Sequence, residues 1–237
     1  MGEIRWDLSG FNVFMKSQYT TVYDLEEDTD SLYGSSNFSE LDSLDWFLLN
    51  KSNNKLSFLL LSVSSSFFNN EPEFNLFDSE ELNELELVGS IDHFIDKIAM
   101  QEKSFFSIKR NQLIVSSDLS SAFYKVKISD DIHFILNKNR DYIGFLLINA
   151  IENIVGYSSS TNSHLFNGFL LRMLDLCTDE AYDAMDNQDE KHLLMLKELE
   201  KNCLSEQHRD ARISEILMFI KNAKFTFYDI NANEIIY

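Results

Sequence analysis

Between Asn162 and Ala223 the chain keeps the period of an α-helix, and that regularity limits what the whole can fold into. Leu165, Phe166, Phe169, Leu170, Met173, Leu174 and Cys177 fall at offsets 0, 1, 4, 5, 8, 9 and 12, so all seven share one helical face. Such a face has to be covered. Two more segments of the same kind follow. Thr178, with Asp179 and Glu180 behind it, reads as the cap of a second helix that carries Leu193, Leu196, Leu199 and Cys203 on one side. Ser205 reads as the cap of a third, marked by Ile213, Ile216, Leu217 and Ile220. Phe225–Ile230 and Glu234–Tyr237, around Asn231 and Asn233, read as a terminal β-hairpin.

The first two-thirds of the chain is strand-like by contrast. Phe11, Val13 and Met15 alternate as a half-buried strand does, and Tyr19, Thr21 and Tyr23 resume the pattern. Residues 55–64 (KLSFLLLSVS) are short, apolar and uncapped, the mark of a central strand. Further strands are expected over Phe105–Lys109, Gln112–Ser116 and Ala122–Ile128, linked as an antiparallel meander. Ile132–Leu136 and Tyr142–Ile148 read as two more strands, or as a strand and a helix, around a turn at Asn137–Arg140. Short helices are expected after Ser39, carrying Leu41, Leu44, Trp46, Phe47 and Leu48, and after Ser90, with Ile91, Phe94, Ile95 and Ile98 inward. From Asp78 to Val88 a helical turn and an edge strand fit equally. The expected class is α+β: a mostly antiparallel sheet packed with a C-terminal helical block and a terminal hairpin. The stretch 157–163 (YSSSTNS) is the clearest linker, dividing 1–157 from 158–237 unless the two form one continuous domain.

Several function classes are disfavoured. The longest apolar runs, Phe58–Leu61 and Ile143–Ile148, fall far short of a membrane span, and MGEIRWDLSG lacks the pattern of a secretory signal, so a cytoplasmic location is expected. Two cysteines, Cys177 and Cys203, are too sparse for a disulfide framework and read as reduced core thiols. No two of His93, His133, His164, His192 and His208 stand three to five residues apart, as a helical zinc pair would. The seven glycines are scattered singly, which argues against a phosphate-cradling loop. His208, Arg209 and Asp210 spell a kinase catalytic tripeptide without the rest of its signature, so Asp210 reads as a first-turn helix acid. Asp130 and Asp131 are the carboxylate pair best placed for metal or acid chemistry, although a turn explains them more simply. No cofactor is expected.

What remains is charge. The chain holds 39 acids against 20 bases, a net −19, which repels nucleic acid and anionic membranes and attracts basic partners. The acid is concentrated: residues 1–100 hold 19 acids against five bases, a balance of −14, while the rest contributes −5. Expected partner-binding residues are Glu26, Glu27, Asp28 and Asp30 in one run, and Glu71, Glu73, Phe74, Phe77, Asp78, Glu80, Glu81 and Glu84 in another, where aromatics are interleaved with acid. The reading that follows is a non-enzymatic protein that binds and inhibits or regulates a basic protein partner, in the class of immunity proteins, antitoxins and phage-type inhibitors. The alternatives are an enzyme with a dispersed site, metal-dependent through Asp130, Asp131 and His133, or a structural subunit of a larger assembly. Oligomeric state is left open by the sequence.

Overall fold

The computed structural model describes residues 3–16, 32–33, 44–50, 56–68, 80–82, 98–99, 101–122, 124–159 and 163–230. Within these, two six-stranded sheets and four C-terminal α-helices give an α+β arrangement. The first sheet runs in the order β1 (Ile4–Asp7), β2 (Asn12–Met15), β5 (Leu56–Ser62), β4 (Leu44–Asn50), β3 (Leu32–Tyr33), with β7 (Ile98–Ala99) also paired to β4. The second runs β6 (Glu80–Leu82), β10 (Tyr124–Lys127), β11 (Ile132–Leu136), β12 (Tyr142–Ile148), β9 (Gln112–Ser116), β8 (Ser104–Ser107). The 55–64 run is central, flanked by β2 and β4 as its apolar character requires.

Alternation decides which side of each sheet meets the core. Ile4, Trp6 and Leu8 from β1 and its turn, Val13 and Met15 from β2, and Leu59 and Leu61 from β5 join the inner face of the second sheet, built from Leu113, Val115, Val126, Phe134 and Phe145. Phe166, Phe169, Leu170, Met173, Leu174 and Cys177 enter the same cluster, and Leu165 packs against it, so the periodic face is covered as its spacing demands. The helix carrying that face, α1, spans Ser163–Leu174. Gly144 lets two strands approach closely. Its φ is +144°, and an added Cβ would lie 2.1 Å from the Val115 carbonyl oxygen. Gly144→Ala is expected to cost about 2 kcal/mol in urea unfolding; an unchanged midpoint would refute this.

Several expectations are corrected. Leu44, Trp46, Phe47 and Leu48 belong to strand β4 rather than a capped helix, because pairing with β5 from Trp46–Leu60 to Leu49–Leu56 outweighs the local helical spacing. Ile98 is in β7, not in a helix begun at Ser90; 83–97 lie outside the described residues. β9 pairs with β12 and β10 with β11, so these strands do not form a simple meander. Thr178 does cap a helix, its hydroxyl accepting from the Ala181 N–H, but that helix, α2, ends at Asp186. Gln188 turns left-handed at φ 56°, and Asp189 caps a new helix, α3 (Glu190–Glu206). Ser205 therefore lies inside α3, and the last helix, α4, starts at Ile213. Phe225–Tyr228 continue α4 to Tyr228 instead of opening a hairpin, since Ala223 and Lys224 keep its buried face in register; 231–237 lie outside the described residues. Cys177 and Cys203 are buried free thiols whose ionisation burial pushes up to about 12. Among the described residues no helix is long and apolar enough to cross a membrane.

Candidate functional site: an acidic cleft at the edge of the first sheet

Three pieces of chain distant in sequence meet at the outer edge of β1. Trp6 donates its N–H to the Asn153 carbonyl at 2.7 Å and accepts from the Val155 N–H at 2.9 Å, a short parallel bridge between β1 and the segment after β12. Below that bridge the two backbones part. Residues 149–154 curl into consecutive turns, with the Asn153 N–H returning to the Asn149 and Ala150 carbonyls. The gap left beside Ile4 is a cleft of about 770 Å³, lined by Glu3, Ile4 and Arg5, by Ile128–Asp131 of the β10–β11 turn, and by Asn149, Glu152, Asn153 and Tyr157. This lies within the size range of ligand clefts.

Asparagines fix the walls. Asn111, left-handed at φ 53° in the β8–β9 turn, accepts from the Ile151 N–H at 2.8 Å through its side-chain oxygen and gives its amide to Glu152. Asn153 is buried and donates to the Ile148 and Asn149 carbonyls. Asn149 donates to Asp131 at 2.9 Å. On the other wall, the Ser129 hydroxyl accepts from the Asp131 and Ile132 N–H groups and shapes the turn.

The four carboxylates are not equivalent. Glu3 pairs with Arg5, and Asp130 with Lys127 at 2.8 Å, which holds the Asp130 carboxyl below its ordinary range. Asp131 and Glu152 instead take neutral amide donors, and among the described residues neither is ion-paired. A neutral amide orients a carboxylate without cancelling its charge. The cleft therefore presents two fixed negative charges facing solvent in a concave setting, where fields are focused.

No family model matches this chain. No curated protein and no solved structure matches it either.

The cleft contains Asp130 and Asp131, singled out in the sequence, in the turn between strands that their spacing suggested. His133 is brought into no ligand set with them: it is buried on β11, opposite Lys127 and Leu146, while Asp130 goes to Lys127 and Asp131 to Asn149. Among the described residues no group of three or more His, Cys, Asp or Glu is arranged to hold a metal ion. Of the expected partner-binding residues, Glu80 and Glu81 form part of edge strand β6, beside Tyr124 and Lys125 in a parallel register. Glu26, Glu27, Asp28, Asp30, Glu71, Glu73, Phe74, Phe77, Asp78 and Glu84 lie outside the described residues. Glu3, Arg5, Glu152 and Tyr157 were not anticipated. The one available signal was the apolar alternation at Ile4, Trp6 and Leu8, which marks β1 and would have placed Glu3 and Arg5 on a strand.

Proposed function

We propose that this is a non-enzymatic interaction protein that docks a basic protein partner and inhibits or regulates it, in the manner of immunity proteins, antitoxins and phage-type inhibitors. The observation that carries the reading is the cleft: Asp131 and Glu152 are held in place by neutral donors, with their charge left uncompensated among the described residues. Preformed, uncompensated charge costs an incoming Lys or Arg little reorganisation and steers its approach. The net charge of −19 acts in the same direction over a longer range. The acidic runs from Glu26 to Asp30 and from Glu71 to Glu84, which apart from Glu80 and Glu81 lie outside the described residues, are proposed as further partner-binding residues on the strength of their charge.

The experiment compares the parent with the double variant Asp131→Asn, Glu152→Gln in binding a captured basic partner at low and at high salt. Asn and Gln keep the shape of the side chains they replace and retain one oxygen to accept the Asn149 and Asn111 amides, while the charge and the second acceptor are lost. The expected result is an association rate reduced about tenfold at 20 mM salt, with the two proteins converging near 500 mM as screening removes the difference. Equal rates at both salt concentrations would overturn the assignment to this cleft.

A further inference from the structure

The cleft has a floor as well as charged walls, and the floor is backbone. Strand β1 pairs with β2 through alternate residues: the Lys16 N–H bonds the Glu3 carbonyl, whereas Trp6 directs its N–H and carbonyl the other way, to Asn153 and Val155. The antiparallel ladder alternates strictly, so Ile4, two residues before Trp6, directs its own N–H and carbonyl outward as Trp6 does. The Ile4 side chain is in the core and the residue is 4% exposed, so what it adds to the cleft is its peptide edge. Among the described residues nothing takes up that donor and acceptor, because the backbone that bridges Trp6 has already curled away at Asn153. Buried peptide groups are otherwise almost always paired.

We infer that the cleft receives an extended basic segment of the partner, whose main chain pairs with Ile4 as an added strand while a Lys or Arg side chain reaches Asp131 or Glu152. The inference rests on the docking function proposed above and names how the partner is presented. Two features select an extended strand over a helix. A strand edge offers one inward donor and acceptor every second residue, whereas a helix bonds its main-chain groups internally everywhere but at its ends, where donors and acceptors are segregated. The gap also begins where a parallel bridge is already in place at Trp6, so an added strand continues an existing ladder. Main-chain bonds give such a complex affinity that tolerates sequence variation, and the carboxylates restrict it to basic segments.

The test uses the full chain, labelled with ¹⁵N, and two synthetic probes of equal charge: acetyl-Val-Lys-Val-Lys-Val-Lys-amide and the same peptide N-methylated at every residue. The unmodified peptide is expected to shift the Ile4 amide resonance, to slow its hydrogen exchange and to bind at least tenfold more tightly than its methylated counterpart. Asp131→Asn, Glu152→Gln should weaken it about fivefold at low salt. Equal binding of both peptides, with the Ile4 amide unmoved but the double variant impaired, would overturn strand pairing and leave acidic docking standing. No binding of either peptide at millimolar concentration would overturn both.

Discussion

Replacing Arg212 by Ala is expected to cost about 3–5 kcal/mol of stability, the loss typical when one member of a buried ion pair is removed. Arg212 is fully buried at the entry to α4. Its guanidinium bonds both Asp210 oxygens, at 3.0 and 2.7 Å, and donates to the Ile151 carbonyl at 3.2 Å. The Phe166 ring lies 4.1 Å away by centroid, and that of Tyr157 5.1 Å. One side chain therefore joins α4, α1 and the segment that walls the cleft. Without it the Asp210 carboxylate, only 4% exposed, loses its counter-charge. Arg212→Lys should recover less than half of the loss, since an ammonium cannot make the two parallel bonds to Asp210. Removing both charges together should cost less than the sum of the single losses. Urea unfolding of five proteins, the parent, Arg212→Ala, Arg212→Lys, Asp210→Ala and the double variant Asp210→Ala, Arg212→Ala, measures this, and a loss below about 1 kcal/mol for Arg212→Ala would show that the pair is not structural.

Stability should fall by about 4 kcal/mol between pH 4 and pH 7 on account of a single carboxyl group, that of Asp45. Asp45 is fully buried in β4, accepts from the Ser62 N–H at 2.8 Å and bonds the Tyr142 hydroxyl at 2.7 Å, tying the two sheets together. Burial away from water pushes its ionisation from 3.8 up to about 7, against the smaller opposing effect of those two hydrogen bonds. Between these values the folded protein keeps a proton that the unfolded chain has released, so each rise in pH across the window favours unfolding. Below about pH 4 both states are protonated, and above about pH 7 both are ionised, so the effect is confined to that interval. Asp118, Asp130 and Asp189, whose carboxyls are held below their ordinary range, act in the opposite direction at lower pH. Asp45→Asn isolates the contribution: the variant should match the parent near pH 4 and exceed it at pH 8. A difference that stays constant over the range would refute the assignment.

The α+β class and much of its layout are legible in the sequence alone. The face from Leu165 to Cys177 is buried because seven apolar residues at helical spacing leave little other choice. The Thr178 cap was readable from its hydroxyl and the two acids behind it. Misreadings arose where a distant partner decided the outcome. The spacing from Leu44 to Leu48 suits a helix, but β5 offers it a ladder, and no local pattern announces that. The break between α2 and α3 depends on one left-handed residue, Gln188, a type that seldom takes that conformation. The cleft was half legible: tandem aspartates at a turn stand out, whereas Glu3 and Glu152 meet them only through strand pairing over nearly 150 residues.

That span bears on synthesis. The β1–β2 turn reaches α4 through Ser9, whose hydroxyl lies 3.1 Å from Glu215, a separation of 206 residues along the chain. Trp6 and Val13 share a core cluster with Ile216 and Ile220. A nascent chain cannot close that cluster until residues 213–228 have left the ribosome, so β1 and β2 must wait for their last core partners while some 206 further residues are added. Contacts of this range slow folding and prolong exposure to aggregation, which makes the early hairpin a natural client for chaperones.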